Sequence, residues 1–171
     1  LRMLNGSHSF LAYLGYLAGY QHINDCMQDP NYRRAARTLM LSEQAPTLKV
    51  QGVNLEHYAG LLIDRYSNPA LKHRTWQIAM DGSQKLPQRM LDSVRWHLAQ
   101  HTDFSLLAMG IAGWMCYVGG VDEQGQAIEI CDPLLPVIQQ AVAASAEGEA
   151  RVKALLGIEA IFGLALPQEP R

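Results

Sequence analysis

The sequence predicts an all-α, multi-helix domain. Apolar residues recur at three- and four-residue spacing through most of the chain. Its strongest local signals are helix starts and stops, and only one short stretch alternates enough for extended structure. With 171 residues, 49% of them hydrophobic, the chain suits one globular domain.

In chain order, the first helix is predicted over 7–20, where Phe10, Leu11, Leu14, Leu17 and Ala18 recur on a helical period. Asn5 or Ser7 is expected to cap it, because short polar side chains satisfy the free amides of a helix start. Asp29 followed by Pro30 opens a second helix, running to about Ala45 because Pro46 cannot continue it. Asn54 caps a third, with Leu55, Tyr58, Leu61 and Leu62 along it. Asn68-Pro69 repeats the start signal, and Asp81-Gly82 ends that helix. Two more are expected around 87–100 and 104–118. Segment 122–130 (DEQGQAIEI) reads as a short hairpin or extended loop. Pro133 or Pro136 opens a helix toward Ser145, and 147–162 reads as a last amphipathic one.

Composition narrows the function. A formal net charge of −2 gives no electrostatic footprint for nucleic acid. The uncharged stretch 104–121 contains four glycines between Asp103 and Asp122, which suits a buried core helix rather than a membrane span. Cys26, Cys116 and Cys131 are an odd set without a C-x-x-C pair, expected to be buried free thiols in a reducing cytosol. No signal peptide is visible, so a cytoplasmic location is expected. The chain opens on Leu1 rather than methionine, which reads as a fragment.

Several residues have chemical potential. His8, Ala12, Gly15 and Gly19 share one face of the first helix, so the imidazole stands above a face bare of bulk. That arrangement fits a polar group beside a cleft, and equally a half-buried histidine at a helix contact. Asn5 lies one turn before His8 and faces the same way. Arg65 follows Tyr58, Leu61 and Leu62 on helical spacing and is expected to lean toward the apolar side, where a guanidinium requires an anion. Its other reading is a bond to the last carbonyls of its helix. Lys72, His73 and Arg74 are expected in the first turns after Pro69, opposing the helix dipole. They would either gather potential for an anion or form a solvated basic face. His97 and His101 stand at i and i+4 but have no evident third ligand, so no metal is expected. Trp76, Trp96 and Trp114 read as core or interface, and no G-x-G-x-x-G loop occurs.

The opening LRMLNGSHSFLAYLGYLAG, with RYSNPALKH (65–73) and DGSQKLPQR (81–89), resembles the C-terminal domain of the mannitol dehydrogenase family, a family of polyol and sugar-acid dehydrogenases. Asn5 and His8 fit the last two positions of its signature K-x4-N-x2-H, and the resemblance implies that the lysine would fall one position before Leu1. The resemblance implies that residues 1–171 are a helical, substrate-binding C-terminal domain. NAD or NADP would be held mainly by an N-terminal Rossmann-type domain outside the chain. It further implies metal-independent hydride transfer with the lysine as general base. Asn5 would hydrogen-bond the reacting oxygen, His8 would orient substrate and support the lysine, and Arg65 and Lys72 would bind substrate. Without the lysine and the cofactor domain, the chain alone is expected to be inactive. The resemblance runs closest to the branch interconverting D-mannonate and D-fructuronate, with mannitol 2-dehydrogenase-type oxidation as the alternative. A reading of another class is a non-catalytic helical module whose small-residue faces, Gly15 with Gly19 and Gly110 with Gly113, dock partner helices.

Overall fold

The computed structural model describes residues 1–170 and is mainly helical, without a β-sheet among them. Its α-helices are α1 (Arg2–Leu17), α2 (Ile23–Gln28), α3 (Pro30–Thr38), α4 (Leu55–Ser67), α5 (Thr75–Ala79), α6 (Gly82–Leu86), α7 (Asp92–Gln100), α8 (Ser105–Tyr117), α9 (Leu135–Ala143), α10 (Glu149–Leu156) and α11 (Glu159–Phe162). Two π-helical turns supplement them, Leu39–Gln44 after α3 and Pro87–Leu91 between α6 and α7.

The core is organised around α1, which packs most extensively against α8 and α5. Met3, Phe10, Leu11, Ala12 and Tyr13 on α1 are essentially solvent-free. Glycine permits this close approach. A Cβ on Gly110 would stand 3.0 Å from the Phe10 ring, and one on Gly113 would stand 2.9 Å from Leu14 Cδ2. A Cβ on Gly15 would collide with Cys26 Sγ. The small faces of Gly15, Gly110 and Gly113 are therefore consumed inside the fold, and Gly19 is a positive-φ residue just beyond α1. No external helix is needed to cover them.

Several boundaries differ from the sequence expectation. Helix α1 starts at Arg2, so Asn5 and Ser7 lie within it and neither is its cap. Ser7 bonds back to the Met3 carbonyl at 2.6 Å, as buried serines inside helices do. Pro69 does not open a helix. The Asn68 side chain accepts from Ala70 N at 2.9 Å in an Asx turn, and the following residues pair with 21–23. His22 bridges Arg74, and the His73 carbonyl accepts from Ile23 N at 2.9 Å. These long-range bonds override the start signal, and α5 begins only at Thr75.

Pro87 sits inside a continuous helical run rather than starting one. Helix α6 reaches Leu86 and passes through the π-helical turn into α7, the wider turn accommodating a residue with no amide donor. The predicted 147–162 helix divides into α10 and α11 at Gly157-Ile158. Segment 122–130 forms a hairpin-like turn, with a Val121–Ala127 bridge and Asp122 N donating to the Gln126 carbonyl at 2.8 Å. Of the cysteines only Cys26 is buried; Cys116 is exposed. Among the described residues no helix is long and apolar enough to cross a membrane.

Candidate active site

Helix α1 displays Asn5 and His8 one turn apart, and three packing contacts hold that turn in place. Gly6 lets it sit against its neighbours: an added Cβ would collide with the Gln44 side chain and stand 2.7 Å from the Arg89 carbonyl oxygen. Gln44, on the first π-helical turn, donates to the Arg2 carbonyl at 3.1 Å. Arg89, on the second, donates to Ser9 Oγ at 3.0 Å and to the Asn5 carbonyl at 3.4 Å.

His8 is fixed by its ring contacts. It stacks on Tyr66 of α4 with centroids 5.2 Å apart and planes 5° from parallel, and meets the His73 edge at 5.4 Å. Tyr66 is itself pinned, because its hydroxyl donates to the Leu4 carbonyl at 2.6 Å and shares a 2.9 Å bond with Ser7. Nε2 of His8 is buried and has no hydrogen-bond partner among the described residues. Burial lowers the His8 pKa to about 4, helped by the neighbouring His73, Arg89, Arg65 and Lys85. The imidazole is therefore neutral near pH 7. A neutral ring with one unpaired nitrogen can donate to or accept from a ligand hydroxyl without adding charge.

Asn5, but not His8, borders a cavity of about 500 Å3 whose lining also includes Arg2, Lys85, Gln88, Arg89 and Asp92. Lys85 Nζ donates to the Ile78 carbonyl at 2.9 Å. Burial and the nearby Arg89 push the ammonium below its usual range. The Arg89 guanidinium is likewise lowered by burial.

The remaining expected residues separate. Arg65 is exposed rather than turned into the apolar side, although its charge still reaches His8. Lys72 is exposed too, in the connection between α4 and α5 rather than on a helix's first turn; its neighbour His73 makes the contact with His8. Neither Arg65 nor Lys72 makes a side-chain hydrogen bond or ion pair among the described residues. His97 is a structural residue. Its ring nitrogens lie 2.7 Å from Thr102 Oγ1 and 2.6 Å from the Glu43 carbonyl oxygen, whereas His101 is the exposed left-handed residue ending α7. Trp114 is core, and Trp76 donates to the Glu129 carbonyl at 2.9 Å. Among the described residues no group of three or more His, Cys, Asp or Glu side chains is arranged to hold a metal ion. Tyr66, His73, Lys85 and Arg89 also surround Asn5 and His8, and the sequence marked them only as members of the RYSNPALKH and DGSQKLPQR blocks. The DGSQKLPQR block marked the last two, but spacing alone did not bring that segment against α1.

The model of the mannitol dehydrogenase C-terminal domain matches residues 1–171. The chain belongs to the mannitol dehydrogenase family. It is 79% identical over 167 residues to the uncharacterized oxidoreductase YdfI of Escherichia coli, covering 98% of this chain and 34% of that protein. It is 61% identical over 169 residues to the D-mannonate oxidoreductase of the same organism, covering 98% and 35%. Among solved structures, the Pseudomonas fluorescens mannitol 2-dehydrogenase ternary complex with NAD and D-mannitol superposes with a TM-score of 0.89 at 35% identity, covering 98% of this chain and 34% of that one. The chain thus spans about a third of the length of these family members.

Proposed function

We propose that this chain is the substrate-side domain of an NAD(P)-dependent oxidoreductase that interconverts D-mannonate and D-fructuronate. The observation that carries the reading is the convergence at one turn of α1: the unpaired, buried Nε2 of a neutral His8, a lining position for Asn5, and half-buried cations beside it. Family membership and the 61% identity to a D-mannonate oxidoreductase support the chemistry and the branch.

In this reading the Asn5 amide donates to the reacting oxygen and stabilises the negative charge that develops there. His8 hydrogen-bonds an adjacent substrate hydroxyl and holds the carbon chain in register. The signature lysine, which the family resemblance would place one position before Leu1, would take the hydroxyl proton. The unpaired imidazole nitrogen and the amide and cationic lining would suit hydroxyls and a carboxylate, so these residues would bind substrate rather than the cofactor. A bound nicotinamide supplies the hydride acceptor, held mainly by a Rossmann-type N-terminal domain. Arg65 and Lys72, both exposed on this domain, would complete the binding surface from the rim.

The test is NADH formation by the full-length protein offered D-mannonate and D-mannitol separately. D-Mannonate is expected to be preferred, with Asn5→Ala lowering kcat by roughly 100- to 1,000-fold, the range for losing one such donor. A preference for D-mannitol, the substrate named for the P. fluorescens relative, would move the protein to the polyol branch. Activity on neither, nor on related polyols and hexuronates, would discard the enzymatic reading.

A further inference from the structure

We propose that Tyr66 is a positioning residue: its ring sets the plane of the His8 imidazole, and its hydroxyl ties that plane to the turn of α1 bearing Asn5. The inference rests on the reading of His8 as a substrate contact, and it deepens that reading by naming what aims the ring.

His8 cannot fix its own ring plane. Rotation about the bond joining an imidazole to its Cβ is broad and weakly directed, and Nε2 has no hydrogen-bond partner among the described residues. The plane is set from α4, a helix that packs chiefly against α2 and α3. Tyr66, 3% exposed near the end of α4, stacks on the imidazole with centroids 5.2 Å apart and planes 5° from parallel. Its hydroxyl crosses to α1, donating to the Leu4 carbonyl at 2.6 Å and sharing a 2.9 Å bond with Ser7 Oγ. Ser7 is held in turn by its 2.6 Å bond to the Met3 carbonyl. Leu4 and Ser7 bracket Asn5, so the phenol is anchored to the turn whose imidazole it faces.

The stack acts through shape rather than charge. An aromatic face attracts a cation, yet His8 is kept neutral near pH 7 by burial and by the cations around it. Two flat rings in contact leave the imidazole one plane, in which its nitrogens point along fixed lines. A hydrogen bond to a substrate hydroxyl needs that direction, because it weakens steeply as the donor angle falls below about 120°. Tyr66 is buried and its hydroxyl is committed, so its influence on a substrate passes through His8. Leucine at this position would fill much of the same space without selecting a plane. Phenylalanine would keep the flat face and lose only the tether.

The experiment compares full-length wild type with Tyr66→Phe, Tyr66→Leu, His8→Ala and the Tyr66→Leu/His8→Ala double variant, each verified as folded by thermal melts. Tyr66→Met replaces Tyr66→Leu if the latter does not fold. With D-mannonate, Tyr66→Leu is expected to lower kcat/KM at least about tenfold, because it misplaces an orienting group. Tyr66→Phe should retain most of the activity. Added to His8→Ala, Tyr66→Leu should change nothing further, because the ring it aims is gone. A second readout needs no substrate: the His8 ring protons, assigned by their loss in His8→Ala, are shifted upfield in NMR spectra by the stacked phenol. That shift should persist in Tyr66→Phe and vanish in Tyr66→Leu.

Equal losses from Tyr66→Leu with and without His8, full activity in Tyr66→Leu, or an upfield shift that survives it would overturn the positioning role. Any of these results with wild-type turnover intact would leave the proposed function standing. No turnover of any hexonate or polyol would defeat that function, and the ring shift would still decide Tyr66. Lost in Tyr66→Leu and kept in Tyr66→Phe, it supports the stack; unchanged in both, it overturns it.

Discussion

His8 is where burial and chemistry meet. Its pKa falls from 6.5 to about 4, first because the ring is desolvated and then because its neighbours are cationic. Above pH 6.5 the ring is neutral in both folded and unfolded chains. As pH falls from 6.5 toward 4, the unfolded chain takes up a proton that the fold refuses. Stability should therefore decline through that window by up to about 1.4 kcal/mol per pH unit from this group. Urea unfolding of wild type and His8→Gln between pH 7.5 and 4.5 checks this: the variant should lose less stability on acidification, and equal losses would contradict it. Gly6 shows the same turn's steric side. Gly6→Ala would press a methyl group to 2.7 Å from the Arg89 backbone oxygen, which cannot swing aside as a side chain can. A loss of about 1–3 kcal/mol is expected, measured as a lower urea midpoint.

Capping across the fold decides how the helices are held. The N-cap residue of α8, Phe104, offers no side-chain acceptor; Glu43, 3% exposed on the π-helical turn after α3, supplies one for the first turn from a distance. Its carboxylate accepts from Leu106 N and Leu107 N at 3.0 Å, placing negative charge on the positive end of α8. His97, 2.6 Å from the Glu43 carbonyl oxygen, ties α7 into the same joint. Glu43→Ala leaves two inward amides without their acceptor and should cost about 2–4 kcal/mol, whereas Glu43→Gln, which keeps one acceptor oxygen, should cost less. If denaturant curves rank the two variants equally, the capping account fails. Both π-helical turns serve the site as well, since Gln44 and Arg89 anchor α1 from them. That gives two irregular turns a positional role.

At the scale of the whole molecule, the proposed reading gives this domain part of a reaction. It supplies a rigid face of amide, imidazole and cations, while the base and the hydride acceptor belong to the longer protein in the proposed reading. The 171-residue chain alone should produce no NADH from D-mannonate, and the full-length protein should. Turnover by the isolated chain would show that the lysine and the second domain are dispensable. The small-residue faces bear on the competing reading of a docking module. Gly15, Gly110 and Gly113 are already occupied by Cys26, Phe10 with Met90, and Leu14, which leaves those faces no room for an outside helix.

The all-α class and the caps at Asp29 and Asn54 were legible in the sequence, because periodic apolar residues and N-caps act over one or two turns. Asn5 and His8 could be placed on one face for the same reason. The Asn68-Pro69 signal gave the wrong start because pairing with residues 21–23, distant in sequence, competes with helix formation. Arg65 looked inward on spacing and lies outward because burial depends on what α4 packs against. The partners of His8, namely Tyr66, His73, Lys85 and Arg89, come from segments about 60 to 80 residues away. Local sequence determined the helices and the orientation of their side chains. Long-range packing alone decided which side chains meet and which cations lose their water, because desolvation depends on all the elements that close around a group.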